Sequence, residues 1–176
     1  VMRSKIVNAF AAPGGHIVIL SGLIKKAETS DEVAGVLAHE MGHVIKRHPT
    51  KALIHAQGWS LLLSALTGFS TSNGNLASGI ALNLATSSYS RKNEAEADSV
   101  AKGILIKARI NKSGLLTFFE RLRLEAKPES TGIFRYFATH PSLKDRINAI
   151  RSKSNEEYEP ALKKKEWNAL QAICSD

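Results

Sequence analysis

The stretch His39-Glu40-Met41-Gly42-His43 constrains this chain more than any other part of its 176 residues. On a helix, residues four apart lie on one face, so His39 and His43 can direct two imidazoles at one ion, with Glu40 on the adjoining flank. A hydrolytic zinc site requires two such nitrogen ligands and a carboxylate placed to deprotonate a metal-bound water. The motif therefore predicts a catalytic Zn²⁺ centre on a helix.

The flanking residues favour a helix that is buried around this motif. Thr29 and Glu32 have the spacing of a capping box at its start, and Pro49 marks its end. A buried face that carries two histidines and a glutamate needs partners, because desolvation of unpaired polar groups is costly. The alternative is a surface helix with two exposed histidines. The small or apolar residues that favour burial are Val33, Val36, Leu37, Ala38, Met41, Gly42 and Val44.

A catalytic zinc site takes a third protein ligand, and the best candidate stretch is Glu94-Ala-Glu-Ala-Asp98. Glu94 and Asp98 are one helical turn apart, so both can face the first helix. We expect Glu94 to bind the metal and Asp98 to accept the remaining ring N–H of one of the two histidines. Glu96 is expected to point away into solvent. The alternative is an exposed helix whose acidic residues interact with the dipole at its N-terminus.

Composition narrows the function classes. A chain of this length forms a single domain over residues 1–176, and its one cysteine, Cys174, excludes an internal disulfide or a cysteine-based zinc site. A formal net charge of +8 is compatible with a protein that binds nucleic acid or an anionic membrane surface. Much of that charge lies in the C-terminal third and fits a solvated helix face, without the aromatic and glycine pattern of a nucleic-acid module. We therefore expect no nucleic acid partner.

The hydrophobic pattern predicts a mainly α fold with a small β-hairpin, an α+β class. The chain begins at Val1 without an initiator Met, in what reads as a strand, so we expect a fragment of a longer protein that has lost any targeting segment. The predicted strands are Met2–Asn8 and His16–Leu20, around a turn at Gly14–Gly15, and Ser21–Lys26 is predicted as a helix or turn. The further predicted elements are helices at Arg91–Ala108, Gly114–Ala126 (capped by Ser113), Leu143–Arg151 (capped by Ser142) and Glu159–Ile173, with a loop at Pro128–Gly132.

Residues 52–90 contain no Asp, Glu, Lys or Arg. Two apolar arms flank the turn Ser70–Asn75, which predicts an uncharged helical hairpin inserted between the two metal-binding helices. Each arm is at or below the length that crosses a bilayer. The hairpin therefore packs on the domain or, alternatively, forms a hydrophobic element that contacts a membrane surface beside the active site.

The chain resembles the zinc metallopeptidase family that contains HtpX, the Oma-type proteases and the Ste-type CaaX prenyl proteases. The resemblance rests on four stretches that match in order over nearly the whole chain. These are Asn8–Gly15 (Asn-Ala-Phe-Ala-Ala-Pro-Gly-Gly), His39–His43, Arg91–Asp98 (Arg-Lys-Asn-Glu-Ala-Glu-Ala-Asp) and Thr139–Ser142 followed by Arg146.

The resemblance implies a zincin-like fold with one Zn²⁺ and roles for several further residues. Glu94 is then the third ligand, in agreement with the helical-face argument. His140 matches a histidine that stabilises the oxyanion or covers the metal, and Arg146 matches an arginine that pairs with the acidic ligand region. The substrate cleft is implied to border Asn8 and Gly15, with an extended peptide along the edge strand that contains His16, Ile17 and Val18.

The function that this resemblance implies is a zinc metalloendopeptidase that acts on unfolded or membrane-associated proteins in the bacterial cell envelope, with Glu40 as general base. HtpX-like members carry membrane spans between the two metal-binding helices, where this chain has only the short hairpin, so it is closer to peripheral members. A latent, metal-bound chaperone or assembly factor with a closed cleft is the alternative. A basic nucleic-acid or membrane-surface binder is a third, based on charge alone.

Overall fold

The structure, a computed structural model, describes residues 1–55, 58, 88–125, 139–140 and 158–173. A two-stranded antiparallel sheet precedes a set of helices, which confirms the predicted α+β class with its small β-hairpin. In chain order the elements are β1 (Ala9–Ala12), β2 (His16–Ile19), α1 (Ser21–Lys26), α2 (Ser30–Ile45), α3 (Arg91–Lys107), α4 (Ser113–Glu125) and α5 (Lys164–Ala172).

The two strands form a hairpin that turns through Pro13, Gly14 and Gly15. Ala12 pairs with His16 at the closed end. Gly14 and Gly15 have φ angles of 85° and 86°, in the left-handed region where a Cβ atom is strained. The predicted glycine turn is confirmed, and it needs glycine at both positions.

The first strand was predicted at Met2–Asn8, and this was wrong. The strand that pairs with β2 is β1, while Met2 makes only an isolated bridge with Leu20. The tight turn requires β2 to pair with the residues directly before it, whatever their strand propensity. The sequence of β1 is Ala-Phe-Ala-Ala, which lacks both β-branched residues and an alternating pattern, so it gave no strand signal.

Half of the predicted capping box at the start of α2 is formed. The Thr29 hydroxyl accepts from the Glu32 backbone N–H at 3.3 Å. The Glu32 carboxylate accepts from the backbone N–H of Glu28, one residue before the N-cap, and also from Arg121 of α4. The helix ends at Ile45, before Pro49, and residues 48–55 form a further helical segment.

The hydrophobic core lies between α2, α4 and the hairpin. One prediction about α2 was wrong: Leu37 and Met41 are each 36% exposed, because they lie on the side of the helix turned away from α3. The buried apolar cluster consists of Val7, Ala9, Leu23, Ala27, Val33, Val36, Leu115, Phe118, Phe119 and Leu122. A smaller cluster of Ala38, Ala101 and Leu105 joins α2 to α3.

Helices α4 and α5 begin at residues other than those predicted from the sequence. Ser113, predicted to cap α4, is instead its first residue, and its N–H donates to Asn111 Oδ1 at 2.9 Å. Helix α5 starts at Lys164 rather than Glu159. The preceding residues are held instead against the start of α2, where Asp31 Oδ1 accepts from the Ala161 N–H at 2.7 Å.

Helices α2 and α3 cross in very close contact at Gly42. A Cβ atom on Gly42 would lie 2.5 Å from the carbonyl oxygen of Ala97 and 2.8 Å from its Cα. Glycine at this position therefore allows the two backbones to touch. Since Ala97 lies between Glu94 and Asp98 in sequence, this contact also brings the acidic motif against the two histidines of α2.

Several predicted features lie outside the described residues. These are most of the hairpin over 52–90, the loop Pro128–Gly132, the helix Leu143–Arg151 and Arg146 within it. Among the helices of the described ranges, none is both long and apolar enough to span a membrane.

The crossing of α2 and α3 predicts a difference between two glycine-to-alanine variants. Gly42→Ala should lower the free energy of unfolding by about 1–3 kcal/mol, because the helices must separate to admit the new methyl group. A Cβ on Gly103 of α3 meets nothing within 4 Å. Gly103→Ala should therefore raise the free energy of unfolding by about 0.5–1 kcal/mol through helix propensity alone. Urea denaturation of both variants checks this; equal effects would contradict the close crossing.

Candidate metal centre

Four buried side chains converge between α2 and α3. His39, His43, Glu94 and His140 each offer one potential ligand atom, and these four atoms all lie within 4.8 Å of one another. The Nε2 atoms of His39 and His43 are 3.0 Å apart. The Glu94 carboxylate lies 3.2 Å from His43 Nε2 and 3.6 Å from His39 Nε2. The structure thus brings together the residues that the sequence predicted as ligands.

Separate elements position these side chains. The two histidines are one turn apart on α2, and Glu94 lies in the first turn of α3. Ser90 caps that helix by accepting from the Asn93 N–H at 3.2 Å. The residue before His140, Thr139, accepts from the Tyr89 N–H at 3.2 Å, which joins this segment to the start of α3.

Asp98 determines the tautomer of His39. Its Oδ1 lies 2.8 Å from His39 Nδ1, and an ionised carboxylate can only accept a hydrogen bond. His39 Nδ1 must therefore carry the hydrogen, so the neutral ring has its lone pair on Nε2, the atom that faces His43 and Glu94. This is the arrangement that carboxylates commonly impose on metal-binding histidines.

His43 contacts two side chains that the sequence analysis did not identify. His48 Nδ1 lies 3.0 Å from His43 Nδ1, and His48 Nε2 lies 3.3 Å from the Glu96 carboxylate. The Tyr89 ring stacks on His43 with a centroid distance of 4.0 Å and an interplanar angle of 26°. Glu96 does point away from the metal cluster, as expected, but it contacts His48 rather than solvent alone.

A sequence signal existed for only one of these two missed residues. His48 is a third histidine close to the motif, five residues after His43, but it follows the end of α2 and no helical spacing relates it to the other two. Tyr89 lies just before the cap of α3 and has no motif of its own.

Burial controls the charge of the cluster. It lowers the pKa of His43 from 6.5 to about 4, although the hydrogen bond to Glu94 opposes the shift. Burial alone would raise the pKa of Glu94, but the neighbouring His140, His43 and His39 outweigh it and hold that pKa below its usual range. At neutral pH, His43 is therefore an uncharged imidazole, the form that binds a metal, beside the ionised carboxylate of Glu94.

Glu40 lies at the same buried centre. It is fully buried on α2, and its Oε1 is 3.5 Å from Nε2 of His140. The other nitrogen of His140, Nδ1, is 3.2 Å from Glu94 and 3.3 Å from His39 Nε2. His140 therefore lies between the Glu40 carboxylate and the predicted ligand set.

The predicted substrate-binding residues lie on the hairpin, outside the cluster. Asn8 is buried just before β1, and its Oδ1 accepts from the Ala9 N–H at 3.0 Å. Gly15 forms part of the turn, close to Val44 of α2. His16 is exposed, whereas Ile17 and Val18 are partly buried on β2. Their contact with substrate stays a prediction.

The donor set fits a divalent metal ion. Two imidazole nitrogens and a carboxylate oxygen converge in a buried space, and the Nε2 lone pair of His39 points into it. A cation would offset the repulsion between donor atoms that lie this close together. Imidazole with carboxylate suits zinc and several other first-row metals.

Comparison with known families agrees with this centre. The model of Peptidase family M48 matches residues 1–154. The chain belongs to that family. The resemblance found in the sequence is thus confirmed, and the chain is a metalloprotease homologue.

Similar proteins include bacterial and mitochondrial metalloproteases. The chain is 32% identical over 90% of its length to the putative beta-barrel assembly-enhancing protease of Vibrio cholerae, and 34% identical over 87% to metalloprotease LoiP of Escherichia coli. It is 33% identical over 85% to mitochondrial metalloendopeptidase OMA1 of Arabidopsis thaliana. The matched regions cover 34%, 61% and 30% of these three relatives, so the chain corresponds to only part of each.

The lowered pKa of His43 predicts how the metal-free protein responds to acid. Below pH 6.5 the unfolded chain binds a proton that folded His43 does not bind until about pH 4. The free energy of unfolding should therefore fall between these values, by up to about 1.4 kcal/mol per pH unit for this group. Denaturant titrations at pH 7, 5.5 and 4.5 measure the slope. His43→Gln should reduce it, while His16→Gln, at an exposed position, should not; an unchanged slope in His43→Gln would contradict the assignment.

Proposed function

We propose that this chain is the catalytic domain of a zinc-dependent endopeptidase that hydrolyses peptide bonds in unfolded or membrane-associated proteins of the bacterial cell envelope. The observation that carries the proposal is the buried convergence of His39, His43 and Glu94 with Glu40 beside them. Glu40 lies beside the converging ligand atoms but is not one of them. This position suits a general base next to a bound metal better than a member of a structural ion pair.

In this proposal His39, His43 and Glu94 hold one Zn²⁺. Catalytic zinc sites take three protein ligands and keep one further position open, and the nitrogen and oxygen donors here match that pattern. When bound, zinc supplies Lewis acidity, which polarises the substrate carbonyl and lowers the pKa of water towards neutrality.

Glu40 is the proposed general base. It accepts a proton from the attacking water and returns it to the leaving amine. His140 is the proposed donor to the oxyanion, since its Nε2 lies on the side of Glu40. Asp98 orients His39 through the 2.8 Å contact with its Nδ1. Arg146 remains proposed as a partner of the acidic ligand region from the family resemblance.

The substrate is proposed to lie along the outer edge of β2, in a β-augmentation mode. Leu20 donates to Asn8 O, so alternation along the ladder pairs Val18 with Phe10 and turns the backbone groups of Ile17 outward. On the same outer edge the Met2 N–H donates to Ile19 O at 2.8 Å. Ile17 thus offers an N–H and a C=O to an extended peptide, with Asn8, Gly15 and His16 bordering the cleft.

The relatives support the cellular setting. The Vibrio cholerae relative is named a putative beta-barrel assembly-enhancing protease. We propose by analogy that this chain acts in protein quality control at the envelope, in the periplasm or peripheral to a membrane. The uncharged stretch 52–90 is a candidate for contact with the membrane surface.

One contact favours a second candidate function, a latent metal-bound chaperone or assembly factor. His140 Nδ1 lies as close to Glu94 and His39 as a fourth ligand would, at 3.2 Å and 3.3 Å. Occupation of the open metal position by this nitrogen would exclude water and stop hydrolysis.

The proposed roles predict different results for two carboxylate variants. Glu40→Gln should keep zinc but lose casein cleavage by a factor of about 10² to 10⁴, because only the base is removed. Glu94→Ala should lose both zinc and activity. Zinc content by atomic absorption and a chelator-sensitive casein digest measure the two effects. Near wild-type cleavage by Glu40→Gln would remove Glu40 from the base role.

The edge-strand model predicts that proline at Ile17 impairs substrate binding but not folding. Ile17→Pro removes one outward N–H and should lower kcat/KM for a peptide by about tenfold, the value of roughly one hydrogen bond. Val18→Pro is the contrasting variant, since it removes an N–H directed at β1 and should lower thermal stability instead. Unchanged kcat/KM in a folded Ile17→Pro protein would refute peptide pairing at this edge.

The two candidate functions give opposite predictions for His140→Ala. If His140 stabilises the oxyanion, kcat should fall by about 10²-fold with zinc content retained. Casein turnover and zinc content of the purified variant decide this. A rise in turnover would instead show that His140 closes the site, and would favour the latent protein.

A further inference from the structure

We propose that Glu96 and His48 form a relay that fixes the tautomer and orientation of His43, and so controls the metal affinity of the centre. His48 and Glu96 are positioning residues in this proposal and do not touch the metal or the substrate. The inference rests on the proposed metal site and assigns a purpose to the two side chains on the far side of His43.

The relay starts at the carboxylate. Glu96 Oε2 lies 3.3 Å from His48 Nε2, and a carboxylate can only accept a hydrogen bond. His48 must then carry its hydrogen on Nε2. In the neutral ring this leaves a lone pair on His48 Nδ1, which is directed towards His43.

The second step passes this preference to the proposed ligand. His48 Nδ1 lies 3.0 Å from His43 Nδ1, so an acceptor at His48 requires the hydrogen of His43 to be on Nδ1. The lone pair of His43 is then on Nε2. That atom is the one that lies 3.0 Å from His39 Nε2 and 3.2 Å from the Glu94 carboxylate.

The result is the same arrangement that Asp98 gives His39, reached in two steps instead of one. Asp98 contacts its histidine directly at 2.8 Å, whereas Glu96 acts through an intervening imidazole. Both carboxylates come from α3, two residues apart. Each proposed nitrogen ligand thus has its own carboxylate that sets which ring nitrogen is free to bind.

Burial makes the relay effective. His48 is 2% exposed, so water does not compete for its contact with His43, whereas the Glu96 side chain is 34% exposed and keeps contact with solvent. The stacked Tyr89 ring holds the plane of His43 from another side. The ring of His43 therefore has one orientation and one preferred tautomer.

Two amide substitutions at His48 separate hydrogen bonding from packing. The Asn side-chain oxygen can take the place of Nδ1 and still accept from His43, while the Gln amide extends towards the place of Nε2 and leaves Nδ1 unreplaced. We expect His48→Gln to weaken zinc binding by about 10- to 100-fold, the usual cost of losing an outer partner of a ligand. His48→Asn should retain most of the affinity. His55→Asn, at an exposed position of the same helical segment, is the control.

Double variants test whether the two residues act as a chain. Glu96→Ala should weaken zinc binding by about tenfold, since His48 is then free to adopt the other tautomer. In the His48→Gln background, Glu96→Ala should cost nothing further, because its effect passes through the ring that has been removed. Competition with a chromophoric chelator gives the dissociation constants. Additive losses would overturn the relay.

A spectroscopic measurement distinguishes the relay from a merely structural role. The ¹⁵N shifts of metal-free wild-type protein should show His43 protonated on Nδ1, and Glu96→Ala should shift it towards a mixture of tautomers. Unchanged shifts and affinities in all variants of a zinc-binding wild type would overturn the relay while leaving the proposed function intact. A wild type that binds no zinc would overturn both.

Discussion

The close crossing of α2 and α3 is the constraint on which the centre depends. At Gly42 the two backbones touch, since even one methyl group there would lie 2.5 Å from the Ala97 carbonyl oxygen. At this separation Glu94 lies within 3.2 Å of His43 and 3.6 Å of His39, and Asp98 reaches His39 at 2.8 Å. The same closeness excludes water, and burial then keeps His43 uncharged by lowering its pKa to about 4. Both the arrangement of these side chains and the uncharged state of His43 thus depend on glycine at position 42.

Burying this many polar groups opposes folding unless their hydrogen-bonding capacity is used. In the described part of the chain, His39 is held by Asp98 and His43 by His48, each at its Nδ1 atom. The Nε2 atoms of both histidines are directed at each other and at Glu94, where one cation could be shared. The apolar core between α2 and α4 supplies stability that offsets this cost. Because the ligand atoms converge only in the folded chain, metal binding and folding should be coupled.

The sequence predicted what depends on local spacing. The periodicity of a helix places His39 with His43 and Glu94 with Asp98, and the Thr29 cap and glycine turn follow from neighbours a few residues away. It failed where long-range contacts decide. The strand β1 exists because the turn directs β2 against it, although Ala-Phe-Ala-Ala has little strand propensity. Exposure of Leu37 and Met41 depends on which face of α2 meets the core, and the late start of α5 depends on Asp31 binding the segment before it.

The acidic motif Glu94–Asp98 shows why the periodicity of one helix does not by itself predict the surroundings of each side chain. Glu94 and Asp98 are about 40° apart around the axis of α3, while Glu96 is roughly 200° from Glu94, which is why solvent was its expected environment. The helical segment 48–55 changes that, since it brings His48 beside Glu96 and the far side of His43 at once. Carboxylates on two faces of one helix can therefore act on the same pair of imidazoles. The Glu-Ala-Glu-Ala-Asp pattern is suited to this, because its alanines permit close packing while its carboxylates extend from two faces of the helix.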